Sequence, residues 1–287
     1  MKKVLIFLSL ASIFCSMGIA YGQSWQELAS DHFITHFTQD KKFAQEILDE
    51  AEVYYQRIAL DLGYPRYSEF WTWDNRVGIY IYPDKPSFLK ATNQPEWSQG
   101  MADYTNRQIA SFLGSKEFVD SILPHEIAHL IFRDFVGFKG EIPLWLDEGV
   151  AQWAEEAKRE EMKSMVRQLY NQDKLLLLDD LMKLNLRILT EMDRVYIRTT
   201  RSKSGEYVVL FLSTDVLVAT YYLEAVSLIG FLIERYGSTQ FAAFCRELRD
   251  GKNLEEALRC AYPNHVRNLK ELEDKWREYL AEVNKGG

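Results

Sequence analysis

The feature that most constrains the fold is the apolar stretch SILPHEIAHLIFRDF, residues 121–135. Its apolar side chains recur at helical spacing on most sides of the stretch, at Ile122, Leu123, Ile127, Ala128, Leu130 and Ile131. A helix that is apolar on most of its surface has to be covered by the rest of the chain, so the stretch predicts a core helix. Pro124 fits the first turn if Ser121 caps the helix, because first-turn N–H groups lack an intrahelical acceptor.

Two histidines and a glutamate interrupt this apolar helix. At about 3.6 residues per turn, His125 and His129 project from one face, one turn apart, so both imidazoles can reach a single cation. Glu126 flanks that face, which places its carboxylate beside the cation without making it a ligand. On this five-residue pattern alone, two histidines that simply pack in the core are the alternative.

A second apolar segment supplies a candidate for the third protein ligand that a catalytic zinc site needs. It reads EIPLWLDEGVAQWAEE, residues 141–156, and Pro143 suits the first turn of a new helix. Glu148 lies in the middle of this segment, where a lone carboxylate is costly to bury. A cation held by two imidazoles would offset that cost, so Glu148 is the predicted third ligand.

The two segments together resemble the gluzincin metallopeptidases. The pattern His125-Glu126-x-x-His129 is followed, after eighteen residues, by Glu148 inside WLDEGVAQW. It looks like that of the bacterial peptidase MA-like family, whose catalytic domain is similar to those of thermolysin and the M1 aminopeptidases. The resemblance extends upstream to VGIYIYP and downstream to YYLEAVSLIGFLIERYG and the tail after it.

The resemblance implies a zinc metallopeptidase. One Zn²⁺ per chain is expected at His125, His129 and Glu148, with a zinc-bound water, activated by Glu126, attacking the peptide carbonyl. The implied fold is α+β and thermolysin-like, with a small N-terminal lobe containing a mixed sheet, a mainly helical C-terminal lobe, and the zinc cleft between them. A catalytically weak or inactive peptide-binding or envelope-assembly protein on the same scaffold is the alternative, since a fold can lose its activity.

Two further residues take roles from the resemblance alone. Members of the family often add a tyrosine that donates to the tetrahedral oxyanion, and its best match is Tyr222, with Tyr221 next. An aromatic side chain that only packs in the core is the alternative. A carboxylate that orients a ligating histidine matches Glu155 in the M1 pattern, whereas the corresponding thermolysin position holds Gln152. The alternative for Glu155 is an exposed charged run, EEAKREE.

The chain departs from the M1 aminopeptidases where they anchor a free substrate amine. The comparable region reads GMADY, residues 100–104, and lacks their signature. Aminopeptidase specificity is therefore not implied. An edge strand around 104–113 is expected, which could bind an extended peptide by strand addition.

The chain after the N-terminal segment divides into three regions that differ in their predicted secondary structure. Residues 23–116 predict an α+β lobe, with strands at HFITHFT and RVGIYIYP and a helix between them that stops at Gly63. Residues 117–158 hold the metal-binding helices, and residues 159–287 are mainly helical. With no internal repeat and no low-complexity linker, residues 23–287 are expected to form one catalytic domain.

One β-rich insertion interrupts the helical region. It covers about residues 194–220, and a turn signal at Ser202–Gly205 predicts a hairpin. The apolar run 208–232 is long enough to suggest a membrane span. Asp215 and Glu224 argue against one, so the run predicts a core strand followed by a core helix.

The N-terminus predicts export. Lys2 and Lys3 precede an apolar run, Val4–Ala20, and small residues at Ala20 and Gly22 fit a signal-peptidase site, so residues 1–22 are the expected signal peptide. The protein is then periplasmic or secreted. An uncleaved membrane anchor is the alternative, and only in that case is a membrane an expected partner.

The net charge restricts the expected binding partners, and the cysteine content bears on a possible disulfide. Removing residues 1–22 removes two lysines and no acid, so the formal charge goes from −8 to −10. The resemblance implies a peptide or protein substrate, and a chain this acidic is expected to be a poor partner for nucleic acid or anionic lipid. The sequence leaves the oligomeric state open, and also whether Cys245 and Cys260 form a disulfide.

The remaining histidines are predicted to be structural. His32 and His36 share a strand face without the carboxylate or thiol cluster that would complete a ligand set. His265 is expected in a loop or at the start of a helix.

Overall fold

The structure of the protein is a computed structural model that describes residues 24–64, 75–115, 117–137, 142–186 and 194–282. Within these residues the chain is α+β, as predicted, with a five-stranded sheet in its first part and mainly helices in its C-terminal part. The expected signal peptide, residues 1–22, lies outside the described residues.

The described chain divides into two compact units. The first contains the residues up to Leu60 and from Tyr64 to Ile131, and the second contains Asp61–Gly63 and the residues from Phe132 onward. The elements that begin in the first unit are β1 (Gln26–Ala29), β2 (Phe33–Phe37), α1 (Lys41–Asp61), β3 (Val77–Tyr82), α2 (Lys85–Thr92), β4 (Gly100–Asp103), β5 (Gln108–Phe112), a π-helical turn (Phe118–Ile122) and α3 (Leu123–Val136).

The first unit is built on a mixed sheet of strand order β1-β2-β3-β5-β4. Its inner strands β2, β3 and β5 run parallel, while β1 and β4 pair antiparallel at the two edges. Alternation in HFITHFT buries Phe33 and Phe37 on one face of β2. The predictions for β2, β3 and α1 are confirmed, and α1 is followed by Gly63 in the left-handed region at φ 78°.

The prediction of an edge strand at 104–113 is wrong. The segment 100–112 folds as a β-hairpin, and its second strand β5 pairs on one side with β3 and on the other with β4. The edge of the sheet is therefore β4, Gly100–Asp103. A sequence pattern identifies a strand but does not reveal which neighbours it acquires, because pairing depends on chain segments far away in sequence.

The start of α3 also differs from the expectation. Ser121 does not cap the helix, because the chain is already helical before it in a π-helical turn. In this turn the N–H groups of Ile122 and Leu123 donate to carbonyls five residues earlier, on Glu117 and Phe118. Pro124, which has no N–H, follows in the first turn of α3 as predicted, and the wider turn accommodates the missing donor.

The second unit is mainly helical. Its elements are α4 (Leu144–Ala154), a 3₁₀ turn (Glu156–Lys158), α5 (Arg159–Asn171), α6 (Leu178–Lys183), β6 (Val195–Arg201), β7 (Tyr207–Ser213), α7 (Thr214–Tyr236), α8 (Ser238–Arg249), α9 (Leu254–Ala261) and α10 (Leu269–Glu282).

The helix α7 forms the core of this unit. By length and composition it could cross a membrane, yet 83% of its most apolar window is buried inside the protein, which fits the predicted core helix. Glycines let α4 and α7 approach closely: a Cβ on Gly149 would lie 2.8 Å from Cγ1 of Ile229, and one on Gly230 would lie 2.5 Å from the Trp153 ring. The site-bearing helix α4 is thus held directly against the core.

The predicted hairpin is confirmed, but β structure does not extend to residue 220. The strands β6 and β7 pair antiparallel around the turn at Ser202–Gly205, and α7 begins at Thr214. The run VLVAT suits a strand or a buried helix equally by periodicity. Burial of Leu217, Val218 and Tyr221 at helical spacing shows that packing selects the helix.

Two helices carry the cysteines. α8 and α9 form a helical hairpin, and α9 opens with a capping box between Asn253 and Glu256. Cys245 is buried on α8, Cys260 is exposed on α9, and both are free thiols.

Candidate metal centre

His125 and His129 lie one turn apart on α3, as their spacing predicts. Both side chains are buried, and their ring centroids are 4.9 Å apart with planes inclined at 76°. Apolar residues of the same helix, such as Ile127 and Leu130, are also buried, so the imidazoles sit in a largely apolar setting. The helix thereby fixes the two rings relative to each other.

Glu148 projects from the middle of α4. It is 3% exposed, and its helix neighbours Leu146 and Val150 are buried as well. The next residue, Gly149, allows α4 to contact α7, and the preceding one, Asp147, pairs with the Arg133 guanidinium. Helix packing on one side and an ion pair on the other therefore hold this part of α4.

The structure brings His125, His129 and Glu148 together into a group that could hold a metal ion. Each offers one ligand atom, and these atoms lie within 4.8 Å of one another. Three atoms spaced so closely have a common centre at most about 2.8 Å from each, whereas zinc bonds to nitrogen and oxygen measure about 2.0–2.2 Å. A contraction of less than about 1 Å would complete the coordination, so the three residues fit a metal.

The donor atoms restrict the kind of metal ion that the group could bind. Two imidazole nitrogens and one carboxylate oxygen suit transition metals, whereas calcium and magnesium prefer oxygen ligands throughout. Among the described residues this is the one group of three or more histidine, cysteine, aspartate or glutamate side chains with such spacing.

Glu126 is buried next to the first histidine, and a tyrosine contacts it. The Tyr104 hydroxyl donates a hydrogen bond of 3.3 Å to Oε2 of Glu126. The Tyr104 ring also meets the His129 ring edge-on, with centroids 5.6 Å apart. The carboxylate is thus held by a donor that belongs to the same unit as both histidines.

The sequence did not single out Tyr104. It directly follows β4, at the beginning of the turn into β5, where backbone N–H groups of Thr105 and Asn106 donate to the Asp103 carboxylate. The residue ends the segment GMADY, which was compared with the amine anchor of the M1 aminopeptidases, and it begins the expected edge strand 104–113. Asp103 in a turn sequence is the available signal, because an aspartate that accepts from backbone N–H groups two and three residues further on marks a tight turn.

Tyr221 and Tyr222 are both buried on α7. Tyr222 was expected near the start of its helix, but it lies well inside, because α7 begins at Thr214. Burial and the nearby Glu148 carboxylate raise the pKa of both phenols far above the ordinary value. Both hydroxyls therefore keep their protons at neutral pH and can act as hydrogen-bond donors.

Glu155 lies at the C-terminal end of α4. It is buried, and its Oε2 pairs with the Lys158 ammonium at 2.8 Å. Its side chain is therefore not part of an exposed charged run, while its expected contact with a ligating histidine stays a prediction.

The other histidines pair elsewhere. His32 contacts Glu52 at 2.6 Å, His36 contacts Glu27 at 3.2 Å, and each imidazole stacks on a tyrosine of the first unit. His265 packs against the Tyr236 ring.

Comparison with models of known protein families and with curated proteins finds no match for the chain.

Proposed function

We propose that the protein is a zinc-dependent metallopeptidase of the gluzincin type with a thermolysin-like catalytic domain. One observation carries the proposal: the buried His125, His129 and Glu148 offer their ligand atoms within 4.8 Å of one another, beside the buried carboxylate of Glu126. A core that buries two imidazoles and two carboxylates at one place is costly without a cation. A hydrolytic zinc site requires such a set.

The ligands in this proposal are His125, His129 and Glu148, with one zinc ion per chain. Zinc bound there supplies a Lewis acid that polarises a substrate carbonyl and makes water a stronger acid. Burial of the three side chains excludes bulk water and strengthens the electrostatic interactions within the site.

Glu126 is the proposed general base. Its carboxylate accepts the proton of the attacking water and then returns that proton to the leaving amine, which completes hydrolysis of the peptide bond. The hydrogen bond from Tyr104 occupies one side of Oε2 and restrains the carboxylate rotamer. Restraint of this kind keeps the base in position for each proton transfer.

Neutral tyrosines are suited to a second task. A protonated phenol can donate to negative charge that develops on the substrate oxygen, and the Tyr222 hydroxyl is such a donor. Tyr222 is the proposed donor, with Tyr221 as the neighbouring candidate. Glu155 is proposed to orient a ligating histidine through its carboxylate.

The cellular setting is also a proposal. An N-terminal signal peptide, residues 1–22, would export the chain to the periplasm or the medium, with residues 23–287 as one catalytic domain acting on peptides or proteins. This rests on the charge and hydropathy pattern of the N-terminus.

The test compares peptide cleavage by the wild-type protein and the Glu126→Gln variant on a broad peptide library, with zinc content measured on both. Glu161→Gln, on the exposed side of α5, is the matched control. We expect cleavage by the wild type and the control, and at least about a hundredfold loss in Glu126→Gln with zinc retained. Equal cleavage by Glu126→Gln would contradict the mechanism. Bound zinc without any cleavage would favour a peptide-binding protein on the same scaffold.

A further inference from the structure

Large apolar side chains are exposed in one short segment of the second unit. Among the described residues, most of the strongly exposed large hydrophobic side chains lie between residues 195 and 216: Val195, Ile197, Tyr207, Val209, Phe211 and Val216, exposed by 44–70%. Scattered exposed apolar residues are normal, but a contiguous group marks an interaction surface.

The strand register makes this group contiguous. Ile197 lies directly opposite Phe211, and Val209 lies opposite Thr199, on the same face of the β6–β7 hairpin. Directly opposed side chains have Cβ atoms about 4.5–5.5 Å apart. Val195, Ile197, Tyr207, Val209 and Phe211 therefore form one continuous surface, which we call the hairpin face.

The hairpin is anchored so that this face stays exposed. Thr200 donates to the Leu175 carbonyl, the Arg277 guanidinium donates to the Arg201 carbonyl at 2.8 Å, and the Lys203 N–H donates to Asp173 at 2.8 Å. Leu212 is buried from the opposite side. A two-stranded hairpin is marginally stable alone, so these contacts fix it on the unit.

The charge of the hairpin is opposite to that of the chain. Residues 194–213 contain four basic residues and one acid, Glu206, whereas the whole chain carries −8. One of the four, Arg201, pairs with Asp274 and Glu273 of α10. Lys203 is exposed, and Arg198 is half-buried over the Tyr196 ring. The overall charge predicted a poor partner for anionic lipid, but local charge governs a local contact within a Debye length of about 8–10 Å.

We infer that the hairpin face docks on an anionic lipid surface. Aromatic side chains such as Tyr207 and Phe211 favour the boundary between headgroups and acyl chains, and neighbouring Val195, Ile197 and Val209 can enter the same layer. Lys203 at the exposed turn and Arg198 on β6 attract negatively charged headgroups. The chemistry is that of a peripheral contact, with the hairpin lying on the membrane and no segment of it crossing.

The test measures binding of the full chain to phosphatidylcholine vesicles with and without about a third phosphatidylglycerol. The variants are Ile197→Ser/Phe211→Ser for the apolar face and Arg198→Gln/Lys203→Gln for charge. The control Val53→Ser/Leu60→Ser removes side chains of similar exposure from α1. Hydrogen exchange of β6 and β7, with and without vesicles, reports on the hairpin independently of the N-terminal segment.

We expect the wild type and the control to bind anionic vesicles and the amides of β6 and β7 to gain protection. Each hairpin variant should bind at least about tenfold more weakly. Unchanged binding by the hairpin variants together with unprotected hairpin amides would overturn the inference. A dimer of the wild type that the Ile197→Ser/Phe211→Ser variant abolishes, with no vesicle binding, would overturn it too and assign the face to a second copy.

Discussion

Two buried glutamates of the second unit show different ways to keep a carboxyl group in an apolar interior. Glu148 on α4 is 3% exposed and lies within 4.8 Å of two imidazole ligand atoms. Glu224 on α7 is fully buried and accepts a 2.7 Å hydrogen bond from the Leu176 N–H. Burial raises the pKa of Glu224 well above its ordinary value. The first carboxyl is placed to meet a cation, whereas burial favours the protonated form of the second.

A buried glutamate alone therefore does not indicate a metal site. Both residues interrupt apolar helices, and both were noticed in the sequence for that reason. Only Glu148 shares its site with His125 and His129, and only that neighbourhood offers the donors that a transition metal prefers. The predictions that follow test whether the two carboxyl groups depend on different partners.

The largest expected effect comes from removing the cation from Glu148. A ligand present at 1,000 times its Kd stabilises the folded state by about 4 kcal/mol, so a chelator should lower the melting temperature of zinc-loaded wild type by several degrees. Glu148→Gln should melt near the chelated wild type and respond little to the chelator. Differential scanning calorimetry measures both. A full chelator response in Glu148→Gln would show that Glu148 is not a ligand.

The close packing of α4, which carries Glu148, against α7, which carries Glu224, should have the next largest effect on stability. A Cβ on Gly149 would lie 2.9 Å from the Ala225 carbonyl, next to Glu224 along α7. Gly149→Ala therefore forces α4 and α7 apart, and we expect a loss of about 1–3 kcal/mol in the free energy of unfolding together with weaker zinc binding. Gly251→Ala, where a Cβ would have open space, is a control for added volume, although the positive φ of 92° adds local strain. Denaturant unfolding that shows no difference between Gly149→Ala and wild type would contradict the close packing.

The proton on Glu224 should be visible in the pH dependence of stability. Its pKa is raised chiefly by burial; Leu176 and Arg277 lower it, and Glu273 raises it. Because the folded protein retains a proton that the unfolded chain releases, this group makes stability fall as pH rises from about 4.5 towards the raised pKa, by about 1.4 kcal/mol per pH unit.

Glu224→Gln keeps an oxygen that accepts from Leu176 and removes the titration. The stability of the variant should not show this fall with rising pH. Relative to the wild type, the variant should therefore become more stable as the pH approaches the raised pKa of Glu224, with zinc binding unchanged. Unfolding free energies at a series of pH values are the measurement. A variant with the wild-type slope would show that Glu224 is ionised in the folded protein.

The smallest expected effect concerns a third buried glutamate, Glu126, which accepts a hydrogen bond from the Tyr104 hydroxyl. Tyr104→Phe removes the 3.3 Å hydrogen bond and keeps the ring against His129. A typical hydrogen bond contributes about 1 kcal/mol, and this one to the Glu126 carboxylate is long at 3.3 Å, so kcat should fall about fivefold, with KM and zinc content unchanged. Tyr207→Phe, an exposed tyrosine, is the control. A rise in KM with constant kcat would assign Tyr104 to substrate binding instead.

Local spacing explains why much of the site could be predicted from sequence. The separation of His125 and His129 by four residues fixes their common face once the stretch is helical, and Glu148 stood out as a carboxylate in the middle of a largely apolar segment. The strands β2 and β3 and the β6–β7 turn also depend on residues that are close together in the sequence. Features that the periodicity of a single segment determines could therefore be predicted.

Features that depend on tertiary contacts were missed. Tyr104 reaches Glu126 across 22 residues because a hairpin turn carries it there. The neighbouring Asp103 signals the turn, but the sequence does not reveal which side chain the turn brings Tyr104 to. The inner position of β5 and the start of α7 at Thr214 depend likewise on neighbouring elements. The π-helical turn before α3 replaced a simple cap because the helical path continues upstream of Ser121.

The most direct test of the central claim is a calorimetric titration of zinc into metal-free protein. The wild type, Glu126→Gln and Glu224→Gln should each bind one ion per chain with similar affinity. His129→Ala and Glu148→Gln should bind at least about a hundredfold more weakly, because each lacks a ligand. Absence of stoichiometric zinc binding in the wild type, or an unchanged affinity in Glu148→Gln, would contradict the proposed metal centre.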